Sequence, residues 1–125
     1  MTTTEHLNAI KAKCHKLLAI AEKRAPGQWR TSYSGKRVVD SNQAWVAVCD
    51  EGYPADAEKY LANAAFIAST AGPLEASLRA TIAAIETVQE LLTFKNRGGE
   101  MFASAYGIGE TMAKDILAAW PLELL

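Results

Sequence analysis

The fold of this chain is decided by residues 28–49, whose sequence is QWRTSYSGKRVVDSNQAWVAVC. Aromatic and β-branched residues fall into three short runs here, and two turn-forming stretches, Ser34-Gly35 and Asp40–Gln43, separate them. The pattern predicts a three-stranded antiparallel meander. Because three short strands need a partner to cover one face, a neighbouring helix is expected to pack against the sheet.

A helix is expected before the meander. Thr2 followed by Glu5 fits a capping box, in which the hydroxyl and the carboxylate each accept a backbone N–H of the first turn. Apolar residues then recur at helical spacing, which extends the predicted helix to about Lys23. The proline of Ala25-Pro26-Gly27 disfavours helix in the residue before it and ends the segment.

Helical patterns also fill the part of the chain that follows the meander. One helix is expected to about Ser69 and to stop at Gly72-Pro73, and a longer one then runs to Leu92. The sequence after this helix predicts two short helical pieces, about 99–105 and 110–120, which a glycine turn at residues 106–109 separates. The expected fold is therefore α+β: an N-terminal helix, a three-stranded meander, and a mainly helical C-terminal half packing on the sheet.

The length of 125 residues predicts one domain. Its expected parts are an opening helix (1–24), the meander with the next helix (25–71) and a helical tail (72–125). Half of the residues are apolar, but many are alanines, which contribute little buried area. Packing against another copy would supply more, so a homo-oligomer is expected.

Charge is distributed very unevenly along the chain. Residues 1–37 hold eight basic and two acidic residues, a net charge of +6, whereas residues 38–125 hold five basic and twelve acidic residues, a net charge of −7. The basic part suggests an anionic partner, and the acidic remainder makes duplex DNA a less favoured one.

Several function classes find no support in the sequence. His6 and His15 lie nine residues apart on the first helix, and Cys14 and His15 are adjacent, so they point to different faces and form no catalytic pair or metal site. No nucleophile signature or phosphate-binding loop occurs. We expect a protein that is not an enzyme and that has no metal or cofactor.

No run of about 20 apolar residues or secretion signal occurs, so we expect a cytoplasmic protein with reduced thiols and no membrane span.

The better candidate is a binding surface made by basic and aromatic side chains. Arginine offers a planar fork to phosphate oxygens, and aromatic rings offer stacking surfaces to nucleobases. The alternative is a solvated charged face with the aromatic residues in the core. The candidate ligand-binding residues are Arg30, Lys36, Arg37, Trp29, Tyr33 and Lys16.

Residues 25–71 resemble a family of small accessory proteins of tailed phages and prophages. The family's motif opens with a PGPW-like segment, has two later strands, and continues with a DAE…ANAAFIA helix. Gln28 replaces the second proline of that opening. The resemblance implies a phage origin and carries over no catalytic residue. The matching segments are Ala25–Trp29, Val38–Asp40, Val46–Cys49, Asp56–Glu58 and Ala62–Ala68.

The tail resembles a helix-hairpin-helix motif over residues 102–117. In that family the glycines of the turn bring backbone N–H groups to a phosphate at a helix N-terminus. The resemblance implies an alternative phosphate site at Gly107, Gly109 and Lys114. Tyr106 replaces the motif's proline, and Glu110 brings a negative charge to the turn. Close packing of two short helices is the structural alternative.

These features lead to a function expressed through binding. The expected protein counters a bacterial defence system in the host cytoplasm, as anti-CRISPR proteins do. It does so either by sequestering an anionic nucleotide signal or by blocking a host defence protein. The alternative function is a phage regulator that binds nucleic acid through the glycine turn.

Overall fold

The fold is given by a computed structural model that describes residues 1–25, 27–32, 35–49 and 57–125. The predicted α+β class is confirmed, with a helix first, an antiparallel sheet next and helices after it. In chain order the elements are α1 (Thr3–Glu22), β1 (Arg30–Ser32), β2 (Arg37–Val39), β3 (Trp45–Val48), α2 (Ala57–Leu92) and α3 (Glu100–Ala119), with short 3-10 helices at Thr93–Asn96 and Leu122–Leu124.

The chain divides into two compact units. The helical unit consists of Met1–Ala19 and Ser77–Leu125, and the sheet unit consists of Ile20–Ala76. These bounds fall inside α1 and α2, so each of these helices contributes residues to both units.

The core of the helical unit comes from one face of each of its helices. The N–H of Glu5 donates to Oγ1 of Thr2 at 3.1 Å, so α1 begins at the predicted cap. Lys11 of α1 pairs with Glu86 of α2 at 3.3 Å. The buried residues are spaced three or four apart, as expected for amphipathic helices. They are Leu7, Ile10, Cys14 and Leu18 of α1, Leu78, Ile82, Ile85 and Val88 of α2, and Ala113 of α3.

The sheet unit is built around its central strand. The strands lie in the order β1-β2-β3 and are antiparallel throughout. Val38 and Val39 of β2 are both fully buried, although they point to opposite faces of the sheet. The first turns of α2 pack against β3: Tyr60 and Ile67 line a cleft together with Val48. This packing is the predicted one.

The expected helix break at Gly72-Pro73 is wrong, since α2 continues through both residues. Proline removes one helical hydrogen bond, here the one that the Ser69 carbonyl would accept, and glycine weakens a helix interior. Both residues are exposed, and no atom lies near the position of a Cβ at Gly72. Burial of Ala64 on one side and Leu78 on the other keeps the helix continuous.

The expected pair of short helices in the tail is also wrong, because α3 is a single helix over Glu100–Ala119. Gly109 is buried, and a Cβ at this position would lie 2.9 Å from Cβ of Leu91 on α2. The lack of a side chain at Gly109 therefore allows α3 to approach α2 closely, and no turn forms at this glycine. Gly107 is exposed, with no atom within 4 Å of a Cβ position.

These two glycines give a matched test of the continuous helix. Gly109→Ala is expected to lower the free energy of unfolding by about 1–3 kcal/mol, because the new methyl group overlaps Leu91. Gly107→Ala is expected to raise it by about 0.5–1 kcal/mol, because alanine favours an open helical position. Urea unfolding followed by circular dichroism measures both. Destabilisation of similar size by the two substitutions would contradict a continuous α3.

Both cysteines are free, and they differ in burial: Cys14 is fully buried and Cys49 half-buried. Burial raises the pKa of the Cys14 thiol above its ordinary value. The folded state therefore holds this proton more tightly than the unfolded chain does. The resulting stability is present below the unfolded pKa, about 8.5, and is lost as pH rises through the folded pKa.

We expect Cys49 to react first with a thiol reagent, and Cys14 to react only as fast as the helical unit opens. Between about pH 8 and pH 10, the wild type should lose more stability than Cys14→Ala, since only the wild type carries the thiol with the raised pKa. Thiol titration and urea unfolding across this pH range provide the measurements. Two equally fast thiols would contradict the burial of Cys14.

Candidate functional site

The register of the sheet places two of the candidate arginines on one face. Arg30 of β1 lies opposite Val39 of β2, and Val39 lies opposite Trp45 of β3. Directly opposed residues share a face, and residues two apart on a strand also share a face, so Arg37 joins them. Arg30, Arg37 and Trp45 therefore leave the sheet on one side, which we name the Arg–Trp face. Val48, opposite Arg37, leaves the sheet on the same side and lines the cleft with α2, so α2 borders this face.

The central contact of the Arg–Trp face is a cation–π stack. The guanidinium carbon of Arg37 lies 4.1 Å from the centroid of the Trp45 ring. Trp45 is 55% exposed and Arg30 is also exposed, whereas Arg37 is half-buried. The stack restricts the guanidinium to one orientation while much of the indole remains open to solvent.

The turn between β2 and β3 positions Trp45. Oδ1 of the buried Asp40 carboxylate accepts the N–H groups of Asn42 at 2.8 Å and Ala44 at 2.9 Å. Across the same turn, the N–H of Asp40 donates to the carbonyl of Ala44 at 2.9 Å. Gln43 adopts a left-handed backbone with φ of 66°. These bonds set the register from Arg37 to Trp45, because register in a hairpin follows from its turn.

Trp29, grouped with the arginines on sequence grounds, has a structural role instead. Its Nε1–H donates to the carbonyl of Ala25 at 3.0 Å, and the guanidinium carbon of Arg24 lies 5.4 Å from its ring centroid. Arg24 in turn pairs with Glu75 of α2 at 3.4 Å. Trp29 is half-buried in this group and ties the segment before β1 to α2.

Neither Lys36 nor Lys16 belongs to the strand pairs that form the Arg–Trp face. Lys36 lies in the turn before β2, where its carbonyl accepts the N–H of Cys49 at 2.9 Å. Lys16 belongs to the helical unit and is exposed on α1. Tyr33 lies outside the described residues. Of the other early basic residues, Lys11 and Arg24 are engaged by acidic side chains in the fold.

The hairpin implied for the alternative phosphate site is absent, because Gly107, Gly109 and Lys114 all lie within α3. Each interior N–H of a helix is directed to the carbonyl four residues earlier, so neither glycine N–H is available to a phosphate. Lys114 is exposed and lines a surface cleft with Lys95 and Glu110. The expected phosphate site at the glycine turn is therefore wrong.

Sequence reasoning omitted Trp45 from the site. A signal for it exists, because the turn residues Asp40–Gln43 join β2 to β3 as a hairpin. Counting outward from that turn places Arg37 and Trp45 near each other on neighbouring strands. The bulge between Val38 and Val39 then determines that they share a face, and this irregularity has no clear sequence signal.

The chain matches no protein-family model, no curated protein and no solved structure. The described ranges contain no group of three or more His, Cys, Asp or Glu side chains placed to hold a metal ion. Their helices include none that combines the length and the apolar character needed to cross a bilayer.

The two tryptophans of the sheet unit are expected to differ in their effect on stability. Trp29→Phe removes the hydrogen bond to Ala25 and part of a half-buried ring. The free energy of unfolding should therefore fall by about 2 kcal/mol. Trp45→Phe leaves an exposed ring beside Arg37 and should cost less than about 1 kcal/mol. Urea unfolding of both variants is the measurement, and a larger effect at Trp45 would contradict the assigned roles.

Proposed function

We propose that this protein acts by binding, not by catalysis, and that it captures an anionic nucleotide on the Arg–Trp face. The observation that carries the proposal is the stack of Arg37 on an indole that remains 55% exposed. Exposed Arg30 leaves the same face, so a second guanidinium accompanies the partly open indole on one side of a small sheet.

Each part of a nucleotide has a matching group on this face. Guanidinium groups bind phosphate oxygens through paired, charge-assisted hydrogen bonds. The exposed part of the Trp45 ring offers a stacking surface to a base. Arg30 and Arg37 are diagonal neighbours, whose backbones lie about 7–8 Å apart. That spacing suits a ligand with more than one phosphate, such as a cyclic dinucleotide.

The biological role that we propose rests on the resemblance of residues 25–71 to phage accessory proteins. A phage protein that captures a nucleotide signal in the host cytoplasm would silence a bacterial defence system that depends on this signal. Blocking a host defence protein is the second candidate. It is favoured by the net charge of −7 over residues 38–125, which would suit a basic nucleic-acid channel.

The alternative of a nucleic-acid-binding regulator loses its geometric support. It depended on a glycine turn at residues 106–109, and these residues are helical within α3.

Binding to a panel of cyclic mononucleotides and cyclic dinucleotides tests the proposal. Thermal shift identifies a ligand, and isothermal titration then measures its affinity for wild type, Trp45→Ala and Arg30→Gln. Each variant should lose at least about tenfold in affinity, because each removes one contact worth about 1.4 kcal/mol or more. Lys16→Gln is the matched control, since Lys16 is an exposed basic residue of α1 and does not belong to the strands that form the Arg–Trp face, so the affinity should be unchanged.

Two results would contradict nucleotide capture on this face. One is a wild type that shows no thermal shift with any member of the panel. The other is a loss of affinity in Lys16→Gln that equals the loss in Arg30→Gln. Circular dichroism of each variant separates lost binding from lost structure.

A further inference from the structure

A cleft borders the Arg–Trp face where α2 packs on the sheet. It lies between the end of β3 and the first turns of α2, and its volume is about 460 Å³. Sites for small ligands are typically clefts of about 300–1,000 Å³. We name it the α2 cleft, and it is lined by Val48, Cys49, Tyr60, Asn63, Phe66 and Ile67.

The α2 cleft is continuous with the neighbourhood of Arg37. Val48, which lines the cleft, lies directly opposite Arg37 in the pair of β2 with β3. The Cβ atoms of directly opposed residues are about 5 Å apart. Trp45 and Val48 are the first and last residues of β3, about 10 Å apart along the strand. Arg37, stacked on Trp45 and opposite Val48, therefore lies between the open indole and the cleft.

Both walls of the α2 cleft are held in place by the fold itself. The N–H of Cys49 donates to the carbonyl of Lys36 at 2.9 Å, which continues the pairing of β2 with β3 one residue past the strand. The other wall belongs to α2, which is anchored by the fully buried Ala64. A site that exists before its ligand arrives loses little conformational entropy on binding.

The α2 wall of the cleft is aromatic, with one amide among the rings. Tyr60 is half-buried and Phe66 is 68% exposed. Asn63 lies between them, because residues three apart are neighbours on a helix surface. Asn63 is exposed, and its amide has no hydrogen-bond partner among the described residues. Proteins hold an unstacked nucleobase in this way, with aromatic rings on its faces and polar groups at its edge.

The amide of Asn63 suits adenine better than guanine. An asparagine side chain offers an acceptor oxygen beside a donor nitrogen. Adenine presents a donor beside an acceptor on two of its edges, at N6 with N7 and at N6 with N1, so it matches the amide in two orientations. Guanine presents two acceptors at O6 and N7, which basic side chains usually bind. Among the described residues that line the cleft, none is basic.

We infer that the α2 cleft holds the second base, an adenine, of a cyclic dinucleotide whose first base stacks on Trp45. This inference rests on the proposed capture of a nucleotide on the Arg–Trp face. Arg37 lies between the two base sites, where its guanidinium meets the phosphates that join the bases. A cyclic mononucleotide carries one base, so it occupies either the indole surface or the cleft and not both.

Isothermal titration with cyclic diadenosine monophosphate tests the inference on wild type, Asn63→Ala and Asn96→Ala. The wild type should bind this ligand at least about tenfold more tightly than cyclic adenosine monophosphate, which lacks the second base. Asn63→Ala should lose about tenfold in affinity for the dinucleotide, because it removes two hydrogen bonds to the base. Asn96→Ala is the matched control, since Asn96 is exposed and lies outside the cleft and the strands.

The reactivity of Cys49 gives a second test that needs no substitution. Its thiol is free and half-buried, and Cys49 lines the cleft. Saturating cyclic diadenosine monophosphate should therefore slow its reaction with N-ethylmaleimide by at least about fivefold. Adenosine, which carries the base without a phosphate, should also slow the reaction at millimolar concentration. Inorganic pyrophosphate carries phosphates without a base and should leave the rate unchanged.

Three outcomes would overturn the inference. They are equal affinities of Asn63→Ala and Asn96→Ala for the dinucleotide, tighter binding of the wild type to cyclic diguanosine monophosphate, and a Cys49 whose reaction neither adenosine nor the dinucleotide slows. A loss of affinity in Arg30→Gln and Trp45→Ala would still support the Arg–Trp face in each of these cases. Conversely, protection of Cys49 by adenosine together with full affinity in Arg30→Gln would contradict phosphate binding on that face and not the base site.

Discussion

The Arg–Trp face depends on the buried carboxylate of Asp40. This group accepts two backbone N–H groups of the turn between β2 and β3, and so replaces the hydrogen bonds that water would otherwise provide. This turn determines which residue of β3 lies opposite each residue of β2. A slip of one residue would move Trp45 to the other face, away from Arg37. The hydrogen-bonded side chain of Asp40 thus supports both the sheet and the Arg–Trp face.

Most of the fold follows from local patterns that are strong in this sequence. The cap at Thr2, the apolar spacing of α1 and the three short β-rich runs each predict the element that forms. The errors at Gly72-Pro73 and at Gly107–Gly109 share a physical cause. Glycine and proline disfavour the interior of a helix locally. Burial of Ala64, Leu78 and Gly109 against other elements outweighs that local preference. Local sequence gives no measure of that burial.

The candidate site was only partly predictable for a related reason. Composition identified Arg30 and Arg37 as candidate cations, and the sheet register does bring them to one face. Composition could not distinguish an aromatic residue that supports the fold from one that remains open. Trp29 bonds to Ala25, whereas Trp45 stays exposed beside Arg37. This difference between the two tryptophans arises from the bulge between Val38 and Val39 and from the half-buried ion pair of Arg24 with Glu75. Neither feature leaves a regular pattern in the sequence.

Nuclear magnetic resonance of the indole N–H groups tests the central claim most directly. The three tryptophans give three separate indole signals, so a nucleotide titration reports on each ring. The account predicts that the Trp45 signal and the Arg30 and Arg37 side-chain signals shift together, while those of Trp29 and Trp120 stay in place. A titration that moves the Trp29 or Trp120 signal and leaves Trp45 unchanged would contradict it.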